Sequence, residues 1–143
     1  MKYTESLPAA EQFYDLFETT GWNTKYELSK EELFLALKNS WYTISVFDHD
    51  QLIGFGRIIC DGIVHALILD VIILPERQGE GIGKEVMNKL MAQCKKHKIR
   101  DIQIFSAKDK AGFYEKLGFK LEATKKDFWA QGFDLYDMKL SID

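Results

Sequence analysis

Three glycines spaced two apart, Gly79, Gly81 and Gly83, separate an apolar, strand-like run over residues 67–74 from an amphipathic, helix-like run over residues 83–96. This punctuation constrains the fold more than any other feature of the chain. A strand must turn sharply into a helix there, on a backbone bare enough for a ligand to come close. The first amides of a helix have no intrahelical acceptor, and together with the helix dipole they attract an anion such as a phosphate.

The elements around the loop follow from periodicity and punctuation. Residues 9–17 read as a short helix with Phe13, Leu16 and Phe17 on one face. Ser29 followed by Glu32 forms a capping box, opening a helix that turns Leu33, Phe34 and Leu37 inward and ends near Asn39. Residues 41–47 and 52–59 are aromatic and β-branched, joined by His49-Asp50-Gln51, and predict a hairpin. Asp61-Gly62 marks a second turn before residues 64–74, so three antiparallel strands form a meander. In the helix that follows the loop, Val86, Met87, Leu90, Met91 and Cys94 share an apolar face, while Lys95, Lys96 and His97 complement its C-terminal dipole. Residues 99–107 alternate as a strand, placed parallel to the one before the helix. A short helix over residues 110–117 closes on Gly118, and strands follow at 120–123 and 133–140. Helices among strands, a meander and one βα crossover make the class α+β.

Length and charge remove several function classes. A chain of 143 residues fits one domain spanning residues 1–143. A net charge of −3 argues against a general nucleic-acid binder. No apolar run approaches membrane-spanning length, and residues 1–6 lack the apolar core of a signal peptide, so the expected location is cytoplasmic. Cys60 and Cys94 form no CxxC pair and are expected as two buried free thiols. His49, His65 and His97 have no ligand-like spacing, so no metal is expected.

Two phosphate-loop templates fail. A P-loop needs G-x-x-x-x-G-K-[ST], but Gly83-Lys84 is followed by Glu85 and the first glycine position holds Gln78. A dinucleotide fingerprint needs G-x-G-x-x-G, and here the third glycine comes one residue early, after a meander. A third pattern, [QR]-x-x-G-x-[GA] entered from a strand ending in x-Pro, fits Gln78-Gly79-Glu80-Gly81-Ile82-Gly83 after Leu74-Pro75. Downstream, Phe113-Tyr114-Glu115-Lys116-Leu117-Gly118-Phe119 matches F-Y-x-x-x-G-F. On these two motifs, in this order, the chain resembles the GCN5-related N-acetyltransferase (GNAT) superfamily. Gly21-Trp22, Ala36-Leu37-Lys38-Asn39-Ser40, Leu52-Ile53-Gly54, Asp61 and Asp70-Val71 extend the resemblance to the serotonin N-acetyltransferase-like subgroup of plastids and cyanobacteria, over residues 21–119. The likeness departs at Leu69, where the plant members carry tryptophan, and over residues 129–143.

The resemblance implies an α+β fold with a mixed, mostly antiparallel central sheet of about six to seven strands and helices on both faces. It implies acetyl-CoA as cosubstrate, its pyrophosphate held by the backbone of Gln78, Gly79, Glu80, Gly81, Ile82, Gly83 and Lys84, with Phe113 and Tyr114 beside the sulfur. The amides of Ile72 and Ile73, on a splayed strand, would contact the thioester and pantetheine arm and stabilise the oxyanion of the tetrahedral intermediate. An acceptor amine with a pKa of ~10.4 must lose a proton before it attacks. Asp70, among apolar neighbours, is the expected base, since partial desolvation makes a carboxylate a better one; Asp61 is second, with a turn role beside Gly62 as its competitor. Glu76 and Glu80 are expected to face solvent. Tyr114 is the expected acid for the leaving thiolate.

Phe13, Tyr14, Phe17, Trp22, Tyr26, Phe34, Trp41 and Tyr42 are candidates for an aromatic acceptor pocket or for plain core. The expected partner is a small-molecule amine, an aralkylamine first, with polyamines, amino acids and protein lysine side chains open. Two other classes stay open: an acyl-CoA sensor without catalysis, and an interaction module on the same fold. A homodimer is compatible with the family analogy.

Overall fold

The computed structural model describes residues 1–126 and 134–140. In chain order the elements are β1 (Lys2–Thr4), α1 (Ala10–Glu18), α2 (Asn23–Tyr26), α3 (Lys30–Lys38), β2 (Tyr42–Asp48), β3 (Gln51–Cys60), β4 (His65–Ile73), α4 (Ile82–Lys96), β5 (Asp101–Ala107), α5 (Ala111–Lys116), β6 (Phe119–Lys126) and β7 (Asp134–Leu140), with 3-10 turns at Pro75–Arg77 and Lys108–Lys110. The strands make one mixed sheet in the order β1-β2-β3-β4-β5-β7-β6.

Local signals place most elements. Ser29 Oγ accepts from the Glu32 amide at 3.1 Å, and Glu32 Oε1 accepts from the Ser29 amide at 3.0 Å, so the capping box starts α3 as expected. The β2–β3 hairpin turns through His49, whose φ is 56°. Gly118, at φ 102°, ends α5 in the left-handed conformation that glycine tolerates. The crossover through α4 makes β4 and β5 parallel, while the other strand pairs are antiparallel.

Two elements are additions to the sequence reading. β1 pairs with β2 from Lys2↔Phe47 to Thr4↔Ser45, and the buried hydroxyls of Thr43 and Ser45 donate to the carbonyls of Glu5 and Ser6 at 2.8 and 2.9 Å. α2 is a single turn ending on Glu27 in the left-handed region. Phe133, the first residue of the last expected strand, lies outside the described residues.

Helices cover both faces. The Phe13 ring of α1 meets the Phe55 ring of β3 edge-on at 4.8 Å. Gly56, the next residue of β3, points the other way: a methyl group there would lie 2.8 Å from Val86 Cγ1 and 2.9 Å from Leu90 Cδ1 of α4. Alternation along one strand therefore puts α1 and α4 on opposite faces. Glycine at this position is what lets α4 sit so close. α3 packs beside α1, and α5 against β5 and β6. The expectation of two buried thiols is half right: Cys94 is fully buried in the α4 face, whereas Cys60 is only half-buried.

Candidate active site

The site begins with a slip in register. Gly54 pairs with Ile73 and Phe55 with Ile72, but Arg57 pairs with Leu69. Asp70 and Val71 on β4 thus oppose the single residue Gly56 on β3, a β-bulge. The extra residue is taken up at Asp70, whose φ is 53°. Aspartate is among the few L residues that enter this region without severe penalty.

The same stretch of β4 leaves its other neighbour. Parallel pairing with β5 runs from His65↔Asp101 to Ile68↔Ile104 and stops there. Beyond it β4 continues against β3 through Ile72 and Ile73, and β5 continues against β7 through Phe105, Ser106 and Ala107. The two strands are no longer paired beyond Ile68 and Ile104, and Ile72 and Ile73 lie past that point on β4. The resemblance implied such a splay with the amides of both Ile72 and Ile73 in the gap; the alternation of the strand turns only that of Ile73 away from β3.

The glycine loop lies past the end of β4. Gly79 and Gly81 take φ values of 83° and 82°, and a side chain added to either would project into open space. Gly81 is the N-cap of α4 and offers no side-chain cap, so the first helical amides, through Lys84, face outward unsatisfied by any side chain. That geometry fits a pyrophosphate: positive φ at two bare residues, then the positive end of a fifteen-residue helix. Ile82 contributes only backbone, since its side chain is buried in the core. The Gln78 amide group donates to the Ile73 carbonyl at 3.2 Å, folding the loop back on its strand. Arg77 fastens it further, with Nη1 on Asp48 Oδ2 at 2.7 Å and Nε on Glu80 Oε2 at 3.0 Å. Glu80, expected to be solvated, is half of this exposed ion pair.

The second motif meets the first. A methyl group on Gly83 would lie 3.7 Å from Ile73 Cγ1 and 3.8 Å from Phe113 Cζ, so the ring of Phe113 rests against the start of α4. Tyr114 stands edge-on to Phe113 at 5.0 Å and to Phe119 at 6.2 Å. Burial among these rings pushes its phenol above the ordinary tyrosine value of 10.0.

Asp70 is placed differently from its sequence context. Its neighbours along the chain are apolar, but its carboxylate reaches a guanidinium: Arg57 Nε donates to Asp70 Oδ2 at 2.7 Å. Arg57 is the residue that sequence reasoning missed. Its partner is thirteen positions away and met only through the hairpin register, so no local signal announces it. Asp61 takes the turn role. Its Oδ1 accepts the amides of Ile63, Val64 and His65, and these bonds, that of Ile63 foremost, hold its carboxyl below the usual carboxylate range. The aromatic set divides. Phe13 and Phe17 are core; Tyr14, Phe34, Trp41 and Tyr42 are half-buried against it; Trp22 and Tyr26 are exposed. Phe13, 1% exposed against Phe55 of the sheet, and Phe17, 4% exposed between Phe13 and Trp22, are packing residues of the core.

A family model described as "Acetyltransferase (GNAT) domain" matches residues 9–142. The chain belongs to the GNAT acetyltransferase family. It is thereby an acyltransferase. Among relatives of this GNAT chain is an uncharacterised N-acetyltransferase, ycf52, of Pyropia yezoensis, 38% identical over 120 residues, covering 80% of this chain and 67% of the relative. Serotonin N-acetyltransferase 2, chloroplastic, of Oryza sativa subsp. japonica is 33% identical over 112 residues, covering 76% of this chain and 54% of the relative. The chain thus spans between about half and two thirds of the length of these relatives. In structure, an aminoglycoside 6'-N-acetyltransferase complexed with coenzyme A superposes with a TM-score of 0.83 at 22% identity, covering 100% of this chain and 98% of that one, which shows a shared fold.

Proposed function

We propose that this GNAT domain transfers an acetyl group from acetyl-CoA directly to a primary amine, with aralkylamines as the first acceptor class. The observation that carries the reading is the meeting of the two motifs: the Phe113 ring lies against the Gly83 backbone, so the segment that carries Tyr114 abuts the start of α4, next to the strands whose pairing ends at Ile68 and Ile104. The fit to coenzyme A rests on the uncapped, glycine-bare start of α4, and a family member of the same fold carries coenzyme A.

The cosubstrate supplies a thioester whose C–S bond breaks as the amine N–C bond forms. The backbone amides of Gly79, Glu80, Gly81, Ile82, Gly83 and Lys84 hold the pyrophosphate, while that of Gln78 closes the preceding turn on the Pro75 carbonyl at 3.4 Å. Ile73, on the open side of β4, offers its backbone amide to the pantetheine arm and the acyl oxygen, whereas Ile72, paired with Phe55, turns its amide to β3. Asp70 removes the ammonium proton, and Tyr114 returns one to the departing sulfur. The aralkylamine preference is supported by the serotonin N-acetyltransferase relative.

Calorimetry with acetyl-CoA, followed by thiol release with serotonin, spermidine and a lysine peptide, tests the reading. Tight acetyl-CoA binding and fastest release with serotonin are expected. Faster turnover of spermidine or the peptide transfers the acceptor class accordingly. Binding without turnover of any amine makes the domain an acyl-CoA sensor, and absence of binding removes the proposal.

A further inference from the structure

The segment Ala36-Leu37-Lys38-Asn39-Ser40 stands out in the sequence yet touches none of the groups assigned above. Its place in the structure is at the far end of one guanidinium. Arg57 Nη1 donates to the Ala36 carbonyl at 3.2 Å and to Ser40 Oγ at 3.3 Å, while its Nε holds Asp70 Oδ2 at 2.7 Å. The side chains of Arg57 and Asp70 are only 12% and 20% exposed.

We infer that Arg57 is the positioning residue for Asp70, tying the bulged carboxylate to the C-terminal end of α3. The inference rests on the reading of Asp70 as the base. Shielding a guanidinium and a carboxylate from water is costly, and an apolar pair would fill the same space without that cost. What the ion pair provides is orientation. Asp70 sits in the two-residue bulge of β4, beside the edge where β5 has left, so the strand pairing that fixes Leu69 and Ile72 does not fix it. The planar fork of arginine supplies the missing constraint: it engages one carboxylate oxygen and anchors its other arm to two oxygens of the α3 terminus. Oδ2 is committed to Arg57, and Oδ1 is the oxygen left to take the proton of the amine. The carbonyl at the end of α3 gains a cation in return, as the helix dipole favours.

The test is a double-mutant cycle on the full chain, with thiol release from acetyl-CoA and serotonin as the assay and calorimetry for acetyl-CoA affinity. Arg57→Gln is expected to lower kcat by about 10²-fold, the cost of a misplaced reacting group, with acetyl-CoA affinity retained. Arg57→Lys, which keeps the charge but not the fork, recovers part of the loss and serves where the glutamine variant fails to fold. In an Asp70→Asn background the Arg57→Gln change is expected to cost nothing further. Two results overturn the inference while leaving the base in place: wild-type kcat in folded Arg57→Gln when Asp70→Asn is inactive, or an equal loss in both backgrounds. Full kcat in Asp70→Asn, or no turnover of serotonin, spermidine or the lysine peptide by the wild-type chain, removes the reading of Asp70 and this inference with it.

Discussion

Burial of the Tyr114 phenol has a kinetic consequence. Desolvation raises its pKa above the tyrosine value of 10.0, so the neutral, proton-donating form persists into alkaline solution. As general acid it is expected to cause no decline in kcat between roughly pH 7 and pH 9. Tyr114→Phe is expected to lower kcat by about 10²- to 10⁴-fold at unchanged acetyl-CoA affinity; a phenylalanine variant with full turnover across that range removes the role. The two thiols are separated by the same physics. Burial pushes Cys94 up to about 12, while Cys60 is raised less, its Sγ accepting the Gly62 amide at 3.2 Å. Since the thiolate is the reactive form, a thiol reagent at about pH 8 should modify Cys60 slowly and Cys94 only after denaturant is added, as read by mass spectrometry.

Among the elements, α4 joins stability to ligand binding. It presses on the sheet at Gly56, and its first amides, which no side chain caps, are the proposed seat of the pyrophosphate. Gly56→Ala would place a methyl 2.8 Å from Val86 Cγ1, forcing the helix outward. A loss of about 1–3 kcal/mol is expected, read by thermal unfolding, together with weaker acetyl-CoA binding. Ser29→Ala removes the cap of α3 for about 1 kcal/mol and should leave acetyl-CoA binding unchanged. The same comparison shows what the sequence disclosed. The capping box, the hairpin, the face of α4 and the glycine loop depend on residues within a few positions of one another, and they read directly. β1 does not, because three residues form a strand only through the hydroxyls and backbone of β2. The bulge at Asp70 was hidden too. An apolar run shows no slipped register, and the slip exists only because β4 lies against β3. Arg57 was illegible for the same reason, and with it the true surroundings of the proposed base.

At the scale of the molecule, the loop is clipped to the β2–β3 hairpin by Arg77. This guanidinium holds the Asp48 carboxyl below the usual carboxylate range, chiefly through its hydrogen bond. A depressed folded-state pKa contributes stability above the unfolded value of ~3.9 and loses it as pH falls through the lower folded value. The thermal midpoint is therefore expected to drop below about pH 4, less steeply in Asp48→Asn; the difference is small, because the pair is exposed. No helix among the described residues is long and apolar enough to cross a membrane.

The short parallel seam between β4 and β5 has a mechanical meaning. Four residue pairs, from His65–Asp101 to Ile68–Ile104, join two plates. One plate is β1 to β4 with α4 on its back, and the other is β5, β7 and β6 with α5. Asp70 and the glycine loop ride on the first plate and Tyr114 on the second. The proposed proton acceptor and proton donor are thus mounted on separate bodies. The spacing of these two groups is therefore set by the seam and by the Phe113 ring, which crosses from the second plate to the Gly83 backbone of the first.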